Sequence, residues 1–274
     1  MNRPIIGISE LKSLILRIKT ARNVDFSNYA LSSLKRRVEN FMLEYHLTEV
    51  DKLQLKLYKD DFFYNLFLKY ILVDTTELFR DPEFWLELIE IVLKKFKHSE
   101  EYNILIPECN SGEELYTLLI ILDRLNMLDN VKICLTSLSK LNVEKIETAL
   151  IELKKMEVNE ANFERFEKNG NIFDFFIKKG RSFKLKSDLF TNVEIIQHNF
   201  FNTELPGNYN LILYRNKTIY YNQLLKTKAL KKLHSSLKTN GFIALGIKEK
   251  ITYPGADNEF VTVSESERIY KKQY

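Results

Sequence analysis

From residue 102 onward, the sequence alternates between short apolar runs and longer amphipathic stretches. The apolar runs at 103–106, 131–136, 193–197, 209–214 and 242–245 have the length of buried strands. The intervals between them show helical periodicity, at 112–125, 141–155 and 223–237. Because parallel strands need helical crossovers, this alternation predicts an α/β domain with an open, mostly parallel sheet.

Three further segments of this half are harder to assign. Residues 157–190 are polar with scattered aromatic side chains, and 181–185 and 188–190 are candidates for small strands. Near the end of the chain, 260–263 and 268–271 are predicted to form a hairpin.

The first 97 residues instead predict helices. They contain one glycine, Gly7, and no convincing strand. Apolar residues recur at helical spacing from Ile8 to Ile18, from residue 31 to 42 and from 60 to 72, and Asp25 or Ser27 is the expected N-cap of the second helix. Asp81-Pro82 predicts another helix start, because proline suits the first helical turn. We expect a small all-α domain at 1–80 and the α/β domain at 81–274.

Composition narrows the function classes. The chain is 45% apolar, which is enough to build a core. Its two cysteines are too few for a disulfide scaffold. Its apolar runs are too short for a membrane helix. We therefore expect a cytoplasmic protein without membrane insertion.

Its net charge of +4 belongs to residues 1–70, with 12 basic and 8 acidic side chains. This excess indicates either an acidic protein partner or a solvated surface, and is too small to predict nucleic-acid binding.

Polar loops follow four of the predicted strands, at 106–114, 136–139, 198–200 and 214–220. Open α/β sheets bind ligands at the carboxyl ends of their strands. These loops predict either a site for a nucleotide-like ligand or ordinary polar connections. The four histidines have no metal-ligand spacing, so no metal site is predicted.

Several segments, in order, resemble short motifs. Residues 74–82 resemble N-V-T-x-F-F-R-D-P, and further segments resemble S-T-G-E-E-x-Y (110–116), H-N-L (198–200), C-R-N-x-x-I-Y-F-D (214–222) and G-x-L-x-L-G-x-S-E (241–249). Residues 25–38 fit the helical segment that precedes them. Across 23–272 the chain resembles the chemotaxis-receptor glutamate O-methyltransferases, the CheR family.

The resemblance implies a small helical domain followed by a Rossmann-like class I methyltransferase domain, with a small β-rich insertion at about 157–190. It also implies S-adenosylmethionine as cofactor and S-adenosylhomocysteine as product. The implied substrates are glutamate side chains on the cytoplasmic helices of chemoreceptors. We expect a monomer whose basic residues Lys35, Arg36 and Arg37 dock on the receptor.

The resemblance also implies the site residues. Arg80, Arg215 and Tyr220 match the active centre. The nucleophile of this reaction is a glutamate carboxylate, which is already ionised at neutral pH and needs no strong base. An arginine can bind such a carboxylate through two parallel hydrogen bonds. The implied cofactor-binding residues are Thr76, Arg80, Glu108, Gly112, Glu113 (or its neighbour Glu114), Ser137, Asn199, Phe200 and Asn216.

Two positions depart from the family pattern. Glu108 stands where the family has glycine, and Ser137 stands where it has an acid that binds the ribose hydroxyls. We hypothesise that Glu108 replaces that acid. The departures keep two alternatives open: a catalytically weakened or inactive CheR-like regulatory module, and a methyltransferase with another substrate.

Overall fold

The computed structural model describes residues 4–72, 76–96, 101–205 and 207–274. Its first part is helical, with α1 (Ile8–Arg22), α2 (Leu31–Glu44), α3 (Val50–Lys59) and α4 (Asp61–Ile71). The apolar faces of these helices form one hydrophobic cluster that draws on residues 6 to 71. The Asp60 carboxylate caps α4 by accepting the Phe63 N–H at 2.9 Å. This helical part therefore has a core of its own.

Helix α5 (Pro82–Ile91) begins where the sequence predicts it. Pro82 occupies the first helical position, where its missing N–H costs no hydrogen bond. Phe84 and Trp85 are buried in a second cluster that begins at Leu78. The separate cores support the division near residue 80, which stays a prediction.

The remaining elements form the α/β part. Its strands are β1 (Tyr102–Ile106), β2 (Val131–Ser137), β3 (Leu150–Glu152), β4 (Phe176–Lys179), β5 (Ser182–Leu185), β6 (Val193–Gln197), β7 (Tyr209–Tyr214), β8 (Leu237–Leu245), β9 (Phe260–Ser264) and β10 (Ile269–Lys272). Its helices are α6 (Glu113–Arg124), α7 (Lys140–Thr148), α8 (Leu153–Phe166), α9 (Gln223–Ser236) and the short α10 (Ala256–Glu259).

Across the described residues, the main sheet has seven strands in the order β6-β2-β1-β7-β8-β10-β9. The first five pair in parallel, and β10 lies antiparallel between β8 and β9. This confirms the predicted α/β class and the terminal hairpin. The carboxyl ends of β6, β2, β1 and β7 meet at one edge, which brings the predicted loops together.

The region from residue 140 to 190 differs from the prediction. The expected single helix at 141–155 is wrong: Ala149 adopts a left-handed conformation (φ 53°), and β3 then pairs with β5 before α8 begins. The expected strand at 188–190 is also wrong, because Ser187–Leu189 forms a 3-10 turn. β3, β5 and β4 form a small antiparallel sheet, which begins before the predicted insertion start at 157.

The helical part contacts the loop after β7. The Ala30 N–H donates to the Tyr220 carbonyl at 2.8 Å, and the Asn222 N–H donates to the Asn28 carbonyl at 2.9 Å. This pairing delays α2 to Leu31, so the predicted N-caps Asp25 and Ser27 are wrong. None of the helices in the described ranges is long and apolar enough to cross a membrane.

Candidate functional site

The loop between β1 and α6 begins with a strained residue. Glu108 has a left-handed backbone (φ 53°), and its N–H donates to the Thr136 hydroxyl at 3.2 Å. Gly112, at φ 82°, caps α6, and a Cβ there would lie 2.6 Å from the Tyr116 hydroxyl. Glycine is therefore required at position 112 for the turn and the packing.

Ser137, at the end of β2, faces this loop. Its side chain is fully buried, and its hydroxyl donates to Asn110 Oδ1 at 2.9 Å. The Asn142 amide also donates to that oxygen, at 3.3 Å, and the Asn110 amide donates back to the Glu108 carbonyl. Ser137 therefore fixes the loop, and it is absent from the lining of the arginine and tyrosine clefts described below.

A buried carboxylate organises the loop after β7. Glu249 accepts the N–H groups of Asn216, Thr218 and Gly246 at 2.6 to 2.7 Å, and also the Thr218 hydroxyl. A Cβ on Gly246 would lie 2.5 Å from Asn216 Oδ1. The sequence argument placed Asn216 in the site but not Glu249, although Glu249 closes the 241–249 motif.

Arg215 is buried among carboxylates and aromatic rings. Its guanidinium contacts Asp81 at 2.7 Å and Glu114 at 3.5 Å, and lies 3.9 Å from the centre of the Phe84 ring. Burial lowers the pKa of Arg215, while Glu114 and Asp81 oppose that shift. Arg215 therefore holds two carboxylates in place at the base of the site.

Two clefts meet at this edge of the sheet. The arginine cleft, about 540 Å³ including its open mouth, is lined among others by Thr76, Arg80, Ser111, Glu114, Arg215 and Asn216. The tyrosine cleft, about 490 Å³, is lined among others by Tyr29, Arg37, Glu108, Asn110 and Tyr221.

Lys217 and Tyr220 line both clefts, so the two clefts adjoin each other. The Arg37 guanidinium lies 4.6 Å from the centre of the Tyr220 ring and donates to the Ile71 carbonyl at 2.5 Å. Arg37, which the sequence argument assigned to receptor docking, thus supports Tyr220. Lys217 carried no sequence signal, because it stands at an unspecified position of its motif.

Besides Gly112 and Ser137, three further predicted cofactor residues lie outside both clefts. Glu113 pairs with Lys155 at 2.5 Å, whereas its neighbour Glu114 lines the arginine cleft. The Asn199 amide donates to the Asn23 carbonyl at 2.9 Å. Phe200 is buried and stacks on Tyr214, with 5.6 Å between ring centres.

A third depression, the lysine groove, adjoins the arginine cleft and shares Thr76 and Ser111 with it. Its lysines are Lys69 on α4, Lys145 on α7, and Lys154 and Lys155 on α8. Within the described part of the chain, Lys69 and Lys145 form no ion pair with a carboxylate. The groove therefore presents positive charge beside the arginine cleft.

The lining fits the cofactor that the resemblance implies. S-adenosylmethionine carries a carboxylate, an ammonium group, a sulfonium and two ribose hydroxyls. With the cofactor bound, Arg80 and Glu114 would offer opposite charges to the amino-acid end, and Glu108 would offer a carboxylate to the hydroxyls. Tyrosine rings beside Glu108 give the second cleft apolar surface.

Comparison with known proteins supports S-adenosylmethionine as the cofactor. Residues 74–269 match the CheR methyltransferase SAM-binding domain. The chain is 25% identical to the putative methyltransferase Cher3 of Pseudomonas putida, over 96% of both chains. It is 23% identical to a chemotaxis protein methyltransferase of Listeria innocua, covering 90% of this chain and 92% of that one.

Among solved structures, the N-methyltransferase NodS of Bradyrhizobium japonicum, in complex with S-adenosyl-L-homocysteine, aligns with a TM-score of 0.40. The identity is 9%, over 82% of this chain and 98% of that one. The family match covers most of the present chain and includes those residues of both clefts that lie from Thr76 onward. The chain thus belongs to the CheR family of S-adenosylmethionine-dependent methyltransferases.

Proposed function

We propose that this protein transfers the methyl group of S-adenosylmethionine to glutamate carboxylates on the cytoplasmic helices of chemoreceptors, and that it works in the cytoplasm. The observation that carries the proposal is the arginine cleft, which joins Arg80, Arg215 and Tyr220 and opens beside the lysine groove. The names of the relatives as chemotaxis protein methyltransferases support the same substrate class.

The reaction makes modest demands on the protein. The cofactor supplies an electrophilic methyl group, and the attacking carboxylate is already ionised at neutral pH. The protein therefore mainly has to position the reactants and exclude water. We assign Arg80 and Thr76 to the cofactor, and the Tyr220 hydroxyl to the incoming carboxylate.

Arg215 receives a different role from the one that the resemblance implies. Because its side chain is 3% exposed and contacts Asp81 and Glu114, we assign it to positioning rather than to direct contact with the substrate. From beneath the cleft it holds the Glu114 carboxylate and adds positive charge behind the substrate.

The lysine groove fits the approach of an acidic polypeptide. Four lysines and one acid, Glu77, line it, and it reaches the arginine cleft at Thr76 and Ser111. A receptor segment rich in glutamate would gain favourable charge contacts along this path.

The direct test is transfer of a labelled methyl group to receptor cytoplasmic fragments. We expect label on the fragment that is released by mild base, as a glutamyl methyl ester is. Tyr220→Phe should lower kcat while leaving the fold and the Arg37 contact intact. If receptor fragments acquire no base-labile label although S-adenosylhomocysteine binds, the proposal is wrong.

Two alternative functions are also outcomes of this test. Arg215 is already paired with Asp81, and Ser137 is buried against Asn110; both observations favour a regulatory module with little or no activity. That module would bind receptor or cofactor without transferring label. Label on a protein other than a receptor would instead indicate a methyltransferase with another substrate.

A further inference from the structure

Glu108 has an unfavourable backbone conformation for its residue type. Its φ of 53° lies in the left-handed region, which glycine enters freely and a residue with a Cβ enters at a cost. Strained residues of this kind persist where surrounding contacts hold them, and they cluster at functional sites. The contacts of the Glu108 side chain are therefore informative.

Two tyrosines hold the Glu108 carboxylate. The hydroxyls of Tyr214 and Tyr221 both donate to Oε2, the second at 2.8 Å. Burial and the Glu108 charge raise the pKa of both tyrosines, so both stay protonated donors. A carboxylate has two oxygens and about four acceptor positions, so it can accept bonds from a ligand while it keeps these two.

Each of these three residues differs from the corresponding motif. Tyr214 stands at the cysteine of C-R-N, Tyr221 at the phenylalanine of I-Y-F-D, and Glu108 at the glycine of the first loop. In the structure the three side chains form one hydrogen-bonded cluster. The tyrosine hydroxyls therefore supply hydrogen bonds that hold the carboxylate at position 108.

Neighbouring polar groups are engaged elsewhere. Ser137 is buried against Asn110, Glu113 pairs with Lys155, and Glu114 contacts Arg215. Glu108 is also hydrogen-bonded within the protein, but it is partly exposed and lines the tyrosine cleft. In doubly wound folds an acidic side chain near the strand ends accepts the ribose hydroxyls of a bound nucleotide.

We propose that Glu108, held by Tyr214 and Tyr221, binds the ribose hydroxyls of S-adenosylmethionine. The acid has moved from the end of β2 to the loop after β1, and the two tyrosines are positioning residues for it. This inference concerns cofactor binding alone and does not depend on the receptor substrate.

Calorimetric titration with S-adenosylhomocysteine tests it without catalysis. Glu108→Gln keeps the side-chain shape and should weaken binding by roughly ten- to a hundred-fold, the loss expected for a charged hydrogen bond. Tyr221→Phe removes one of the two donors and should weaken binding less. Glu152→Gln, an exposed carboxylate on β3, is the matched control and should leave affinity unchanged.

A titration with the 2′-deoxy and 3′-deoxy analogues identifies the contact. If Glu108 binds the ribose, removing a ligand hydroxyl weakens binding to the wild type but has much less effect on Glu108→Gln. Equal losses in both proteins would overturn the proposal. Tighter binding by Glu108→Gln or Glu108→Gly would also overturn it, because Glu108 would then obstruct the cleft. Circular dichroism and the thermal midpoint of each variant verify that it folds.

Discussion

The two halves of the sheet edge differ in what their polar side chains do. At the ends of β1 and β7, charged side chains border open clefts, as Glu108, Glu114 and Arg215 show. At the ends of β2 and β6, the polar groups bond to the protein itself: Ser137 to Asn110, and Asn199 to Asn23 in the helical part. Leu138, which follows β2, packs against the helical core.

The difference teaches where ligand recognition is concentrated in this chain. A hydroxyl or amide that is bonded within the protein stabilises the fold, whereas a partly exposed carboxylate that lines a cleft, such as Glu108, can also bond to a ligand. We therefore expect substitutions on the β2–β6 side to change stability, and substitutions at Glu108 to change affinity. The predictions below test that division, from the largest expected effect to the smallest.

Arg215→Ala should be the most damaging change. It removes the buried cation that contacts the partly buried carboxylates Asp81 and Glu114, at a cost of about 3–5 kcal/mol in the free energy of unfolding. Urea denaturation measures this. Arg124→Ala, which breaks the more exposed pair with Glu167, is the control and should cost at most about 1 kcal/mol. A loss at Arg215 no larger than the control's would show that the cluster is not structural.

Ser137→Asp should restore the family's acid without restoring its role. The new carboxylate would be buried against Oδ1 of the Asn110 side chain, so the free energy of unfolding should fall by about 2–3 kcal/mol. Affinity for S-adenosylhomocysteine should not rise. A gain in affinity would mean that the β2 end reaches the cofactor, and the contrast between the halves would fail.

Glu249→Gln tests the loop that carries Arg215 and Tyr220. The amide nitrogen of glutamine would face N–H donors that now bond to a carboxylate, at a cost of about 2 kcal/mol. Methyl transfer should fall further than cofactor affinity, because the loop carries Tyr220. Unchanged kcat would show that the loop holds its shape without this charge.

Asn199→Ala should have the smallest effect. It removes one hydrogen bond to the Asn23 carbonyl, worth about 1 kcal/mol of stability. We expect the Kd for S-adenosylhomocysteine to change by less than about threefold. A larger loss of affinity would restore Asn199 to the role that the family resemblance implies.

Much of the fold was predictable because it depends on local pattern. The apolar runs predicted β1, β2, β6 and β7, and proline at position 82 predicted the start of α5. The break at Ala149 was not predictable, because helical periodicity continues through it and only pairing with the distant β5 stops the helix.

The sequence located the loops that line the clefts better than it located the contacts of individual residues. Glu113 and Glu114 are adjacent in the chain but lie about 100° apart on a helix, so only the packing of α6 decides which one faces the cleft. The partners of Arg215 and Glu108 come from other elements, which sequence spacing does not reveal. The motifs identified the loops, and the structure shows which side chains of those loops contact one another.

A crystal structure with S-adenosylhomocysteine bound tests the account most directly. We predict that the ligand occupies the adjoining arginine and tyrosine clefts. Its amino-acid end should lie near Arg80 and Glu114, and its ribose hydroxyls should donate hydrogen bonds to the Glu108 carboxylate. A ligand bound instead over Ser137 and Asn199, with Glu108 turned away from it, would contradict the account.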